Sequence, residues 1–276
     1  MSIMCNFATW FSLLVGNELE EARLLGHQSR ETTWTDRMLL ELKKLRDPRI
    51  LAFASNEKVT GGDMDWWFVN PVSNASFCLT VQAKILHYLQ QNPDLWHYEE
   101  IAHPRDDPGR QSRMLVDHAR DHCAAGLGYY PYYIFYNPSS APAIPLRTAW
   151  PGEAVTLVDG FVVADHISTH ITASGFPIPA KRYSALVGGM VSLPEFLCSC
   201  VAGIPSPEEI VGRINDLRDE FRFGDETDVD PDPFQARVSH ALPSAIRHMV
   251  ERRTRYIDHA EDIVVPRDTV VFVSGE

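Results

Sequence analysis

The chain of 276 residues lacks any apolar run long enough to cross a bilayer. Its most hydrophobic N-terminal stretch, Phe7 to Val15, falls well short of the roughly 20 residues a spanning helix needs. That stretch also lacks a basic flank and an A-x-A cleavage pattern, which argues against a secretory leader. It reads as an amphipathic helix packed on a core, and a cytoplasmic protein with no membrane partner is expected. Cysteine is sparse too: Cys5, Cys78, Cys123, Cys198 and Cys200 are odd in number and scattered in apolar contexts, as expected for buried thiols in a reducing compartment. Cys198-Ser199-Cys200 is C-x-C, with no second Cys/His pair at zinc spacing, so a structural zinc is not expected.

Positive charge is in short supply, with 25 Lys and Arg against 37 Asp and Glu and a net charge of -12. That balance works against broad electrostatic affinity for nucleic acid. Asp216 to Asp232 alone holds eight carboxylates, whereas Lys43, Lys44, Arg46, Arg49, Lys58, Arg105, Arg110, Arg113 and Arg120 lie earlier in the chain. A local basic groove and scattered solvated cations are both compatible with this asymmetry. No G-x-S-x-G or P-loop occurs, and Gly188-Gly189 is not followed by a phosphate-binding pattern. Internal repeats and low-complexity linkers are absent, and the Asp/Pro-rich stretch Asp225 to Pro233 reads as a surface loop.

What is present is an ordinary globular composition, 45% hydrophobic and 22% charged, on a chain long enough for a large core. Apolar spacing predicts a helix or broken helical pair over residues 6 to 26, then a helix from Ser29 or Glu31 to Leu45 that Pro48 stops. Strands are expected at Ile50 to Ser55, at Asp63 to Val69 after a Gly61-Gly62 turn, and at Phe77 to Lys84. The last two would form a hairpin with a loop of about seven residues. Leu86 to Tyr98 is read as a helix that Asn92-Pro93 ends or kinks. Gly109 to Ala125 is read as a helix and Tyr129 to Tyr136 as an aromatic strand. Later signals are weaker: a strand over Ala154 to Ala164, a helix through His166 to Thr172, helices at Pro207 to Phe221 and Pro243 to Tyr256, and a strand at Thr269 to Val273. The order predicts an α/β fold with a mixed central sheet flanked by helices. Residues 1–200 would form it, and residues 201–276 a helical extension packed on it.

The chemistry concentrates in the first of these regions. Asp63 and Asp65 are two apart on a strand and so share a face, as do Gln82 and Lys84 on the next strand. Carboxylates and a carboxamide oxygen are hard ligands of the kind Mg²⁺ or Mn²⁺ prefers. An ammonium beside them can orient water and neutralise charge building on a phosphate. Glu31, at the start of the preceding helix, is within reach of such a cluster. Each has a plainer explanation: a Glu at a helix start suits the macrodipole, and Asp63 suits a turn after Gly-Gly. Lys84, set in the apolar run Leu79 to Leu86, would be satisfied by a salt bridge to Asp65 alone.

Gly61-Gly62-Asp63-Met64-Asp65 followed by Val81-Gln82-Ala83-Lys84 resembles the PD-(D/E)xK, or restriction-endonuclease-like, nuclease superfamily. That superfamily has a helix bearing Glu, a strand bearing Asp and a strand bearing Glu/Gln-x-Lys. The Gln gives a likeness to the Mrr-type members, and the chain resembles still more closely a bacterial group of nuclease-like proteins with an acidic Trp-Trp strand, here Asp63-Met64-Asp65-Trp66-Trp67. Tyr130 to Asn137 resembles that group's following strand, and Gln111 resembles the glutamine that accompanies the motif in related nucleases. The resemblance covers about residues 7–200. It implies a restriction-endonuclease-like fold and a Mg²⁺- or Mn²⁺-dependent endonuclease acting on DNA, with a role in defence against foreign DNA. Asp65, Asp63, Glu31 and Gln82 would hold the metal, Asp65 foremost; Lys84 would position water, and Gln111 would contact substrate. The implied partners are DNA, a second copy of the chain for cutting both strands, or a protein. The alternative is a nuclease-fold protein that has lost catalysis and binds nucleic acid or a protein partner.

Two further features are set aside. His166 with His170, and His118 with His122, share helical faces at i, i+4 without a visible third ligand, so surface pairs are expected. Trp66 and Trp67 face opposite sides of their strand, one in the core and the other expected under a flanking helix.

Overall fold

The structure, a computed structural model, describes residues 2–54, 63–89, 92–104, 106–142, 153–198, 203–222, 234–252 and 267–275. The expected Gly61-Gly62 turn and the Asp225 to Pro233 loop lie outside them, as does Cys200. In chain order, the N-terminal elements are α1 (Ile3–Leu24), α2 (Glu31–Lys44), β1 (Ile50–Phe53), β2 (Met64–Asn70), β3 (Ala75–Ile85), β4 (His87–Leu89) and β5 (Asn92–His97). Next come α3 (Arg110–Ala124), β6 (Tyr129–Tyr136), β7 (Val155–Asp159), α4 (Gly160–His170), α5 (Ile178–Lys181) and α6 (Tyr183–Leu186). The remainder comprises β8 (Val191–Ser192), α7 (Leu193–Leu197), α8 (Pro207–Arg222), α9 (Ser244–Glu251) and β9 (Asp268–Val273).

The mixed sheet runs β1-β9-β2-β3-β6-β7-β8. β3 is antiparallel to β2 and parallel to β6, and it is buried along its whole length because helices cover both faces. On one face Phe77, Leu79, Val81 and Ala83 pack with Phe7, Phe11 and Val15 of α1, Trp34, Met38 and Leu42 of α2, and Ile210 and Ile214 of α8. The i, i+4 spacing of those helical residues makes the apolar stripes that dock there. On the other face Trp67, Cys78 and Tyr129 pack with Ala119 and Cys123 of α3 and Met249 of α9. Both tryptophans are core: Trp66 lies edge-on to Phe272 and Trp67 edge-on to Tyr129. Truncating either to Ala is expected to cost about 3–5 kcal/mol.

The last strand completes the middle of the sheet. β9 lies parallel to β2, with Asp65 opposite Thr269, and antiparallel to β1, with Ile50 opposite Phe272. The expected boundary at residue 200 is therefore no division of the fold, since a strand from beyond it sits between β1 and β2. Among the described residues, no helix is long and apolar enough to cross a membrane.

Several expectations are corrected. The described residues between Leu86 and Tyr98 are not helical but form the paired strands β4 and β5, in which His87 faces His97 and Tyr88 faces Trp96. Cross-strand aromatic pairs stabilise that pairing, and Asn92-Pro93 opposes a helix there. The strand expected over Ala154 to Ala164 ends at Asp159, whose carboxylate accepts the Phe161 N–H at 2.7 Å and caps α4. A Cβ at Gly160 would lie 2.8 Å from the Pro131 carbonyl oxygen, so this close junction requires glycine. The β2–β3 turn is shorter than expected, residues 71–74, because Asn70 Oδ1 accepts the N–H groups of Val72 and Ser73. α9 ends at Glu251, and the rest of the helix expected to Tyr256 lies largely outside the described residues. Cys5 and Cys198 form a disulfide, which corrects the expectation of unpaired thiols, because α7 packs on the start of α1. Cys78 and Cys123 are free and buried.

Candidate active site

Asp63 immediately precedes β2, and its N–H bonds the Val81 carbonyl, which carries the strand pairing one residue further. Its side chain thereby meets that of Gln82. The Gln82 amide donates to Asp63 Oδ2 at 2.6 Å, and the Ala83 N–H donates to the same oxygen at 2.9 Å. With its amide committed, Gln82 holds its own oxygen, Oε1, buried with no hydrogen-bond partner among the described residues. A buried acceptor left in that state costs on the order of 1–3 kcal/mol.

Lys84 follows on the same face of β3 and is 2% exposed. Its ammonium donates to Gln111 Oε1 at 2.9 Å and stands 3.8 Å from Glu31 Oε2. Glu31 opens α2, and Gln111 lies in the first turn of α3, which begins after Gly109 in the left-handed conformation. Burial raises the Glu31 carboxyl above its usual range; Lys84 and the Ile85 N–H oppose that rise, and Asp63 adds to it. Tyr133, opposite Gln82 on β6, presents a buried hydroxyl with no partner among the described residues. Burial, with the charges of Asp63 and Glu31 adding to it, pushes that phenol well above its ordinary value and keeps it a donor.

The structure thus brings together Glu31, Asp63, Gln82, Lys84 and Gln111 of the residues expected from sequence. Asp65 is engaged elsewhere. Opposite Thr80, it accepts from Arg267 Nη1 at 3.0 Å, and Arg267 also donates to Thr80 Oγ1. Burial raises the Asp65 carboxyl despite the opposing pull of Arg267 and Thr80. The plainer alternative, a Lys84–Asp65 bridge, does not form: Lys84 pairs with Glu31 and Arg267 with Asp65. His118 and His122 lie beside this second pair with ring centroids 4.1 Å apart and planes tilted by 43°, and burial, with Arg267 and His122 adding to it, brings the His118 pKa down to about 3. His166 and His170 bond backbone carbonyls, as a surface pair would.

Tyr133 and Arg267 were not foreseen. Tyr133 alternates with Ile134 and Phe135 in a run where every residue looks like core. Arg267 lies 202 residues from Asp65 in the chain, and no local pattern marks it.

Among the described residues, no group of three or more His, Cys, Asp or Glu side chains is arranged to hold a metal. Two carboxylates do converge here with a carboxamide oxygen that lacks a donor. That oxygen-only set fits Mg²⁺, which typically takes one or two carboxylates and keeps several waters. A family model described as a family of unknown function (DUF6615) matches residues 4–276. No curated protein and no solved structure matches the chain.

Proposed function

Since the chain belongs to DUF6615, a family whose description carries no activity, we propose from the site itself that it is a metal-dependent nuclease hydrolysing DNA phosphodiester bonds. The observation that carries this reading is the unpartnered Gln82 oxygen among Asp63, Glu31 and Lys84. The succession of a Glu on a helix, an Asp at a strand and Gln-x-Lys on the next strand also agrees with the restriction-endonuclease-like resemblance. In this reading Asp63, and not Asp65, is the principal acidic ligand, because Asp65 is committed to Arg267.

Asp63, Glu31 and the Gln82 carboxamide oxygen would hold Mg²⁺ or Mn²⁺. When bound, the ion supplies charge stabilisation at a phosphoryl oxygen. Lys84 orients the attacking water and offsets negative charge on the phosphate. Gln111 and Glu31 fix its ammonium, so little reorganisation is needed when that charge develops. Tyr133 offers a further neutral donor from the floor of the site.

A second reading, binding without cleavage, is favoured by the two bonds already accepted by Asp63 Oδ2 and by the neutrality of Gln82. Incubating plasmid and linear DNA with the protein and Mg²⁺ or Mn²⁺ separates the two. Cleavage that disappears in Asp63→Ala supports the nuclease, whereas intact DNA beside measurable DNA binding supports the second reading.

A further inference from the structure

We infer that the cleft beside the candidate site, between the end of α1 and the β4–β5 hairpin, receives a nucleobase of the DNA strand turned out of its stack. This inference rests on the nuclease reading. The cleft has a volume of about 260 Å³ and is lined by Arg23, Gln28, Ser29, Ile85, Tyr88 and Trp96, among others. Sites for drug-sized ligands run to roughly 300–1,000 Å³, so a space of this size suits a single planar ring system.

The chemistry of the lining matches a base. Tyr88 and Trp96 are cross-strand neighbours with ring centroids 6.1 Å apart, and together they present an aromatic wall. Arg23 holds its guanidinium 5.3 Å from the centre of the Tyr88 ring and is anchored by a salt bridge to Glu20. The wall is therefore braced from α1 before any ligand arrives. Gln28 and Ser29 offer amide and hydroxyl groups to the hydrogen-bonding edge of a base. Enzymes that extrude a base read it in this way, by stacking against aromatic or apolar side chains and bonding its edge.

Position connects the cleft to the candidate chemistry. Ile85 follows Lys84 directly, and the Lys84 ammonium stands 3.8 Å from the Glu31 carboxylate. Ser29 lies two residues before Glu31 in the loop that opens α2. A strand whose phosphate lies against Lys84 would have a neighbouring base within reach of the cleft. The hairpin was expected to be helical, and an α-helix would not have set Tyr88 beside Trp96.

The test measures binding by fluorescence anisotropy of a labelled single-stranded oligonucleotide in EDTA, where no cutting occurs. A second oligonucleotide carries abasic positions, and each is measured on wild type, Trp96→Ala and Trp96→Phe. Stacking on one aromatic side chain is worth about 1–3 kcal/mol per base, so Trp96→Ala should weaken binding about 10-fold and Trp96→Phe should recover most of it. The abasic oligonucleotide should bind wild type about 10-fold more weakly, with little further loss in Trp96→Ala. Full-strength binding of abasic DNA to wild type overturns the cleft assignment without any variant, and so does an absence of DNA binding. Base-sensitive binding without cleavage in Mg²⁺ would leave the cleft standing and remove the catalytic reading.

Discussion

Gln82 donates its amide to Asp63 at 2.6 Å, and this bond leaves the Gln82 oxygen buried with no partner among the described residues. Replacing the amide by a carboxylate turns a donor into a like charge beside Asp63. Gln82→Glu should therefore lose about 1–3 kcal/mol of stability in EDTA. Ligand linkage should return more of it on adding Mg²⁺ than wild type gains. Thermal melts with and without Mg²⁺ measure both effects. An equal Mg²⁺ response in the two proteins would mean that position 82 does not face the ion.

Asp65 and Arg267 form a buried pair that ties β2 to the start of β9. Removing one partner of such a pair typically costs about 3–5 kcal/mol, because the other is left charged and buried. Asp65→Ala and Arg267→Ala should each show that loss in urea unfolding. The double variant should lose less than the sum of the two. Additive losses would remove the pair from the account.

His118 supplies a pH signature. Its folded pKa lies near 3, below the ordinary 6.5, so between these values the unfolded chain binds a proton that the native state refuses. The corresponding stability is fully present above pH 6.5 and is lost as the pH falls toward 3. His118→Gln should flatten the decline of stability over that window in chemical unfolding at stepped pH. An unchanged slope would contradict the burial of His118 beside Arg267 and His122.

The Cys5–Cys198 bond joins α1 to the end of α7 across 193 residues of sequence. Cys198→Ser should lower stability by about 2–4 kcal/mol without reductant, and the difference should vanish in excess dithiothreitol. Equal stability of the two proteins under non-reducing conditions would argue against the bond.

The sequence revealed local features better than long-range ones. Periodic helices such as α1 and α3, and the aromatic strand β6, were readable because each carries its own pattern over many residues. The β4–β5 pair was not, since two short strands, the second opening on Asn92-Pro93, present too few positions to distinguish period 2 from period 3.6. At the site, Glu31, Gln82, Lys84 and Gln111 were placed by motif and spacing. The choice between Asp63 and Asp65 was not, because both point to one face and Arg267, which claims Asp65, arrives from the far end of the chain. The same distance hid the Cys5–Cys198 pairing.

Single-turnover cleavage of plasmid DNA in Mg²⁺ or Mn²⁺ by wild type, Lys84→Met and Asp63→Asn tests the central claim most directly. Methionine keeps the buried stem of Lys84, and asparagine keeps the shape of Asp63, so both variants should fold. The account predicts cleavage by wild type and a fall of about 100-fold or more in each variant, in line with removing a group that stabilises transition-state charge. Cleavage at the wild-type rate in both variants, or folded wild type that binds the metal and leaves DNA intact, would contradict it.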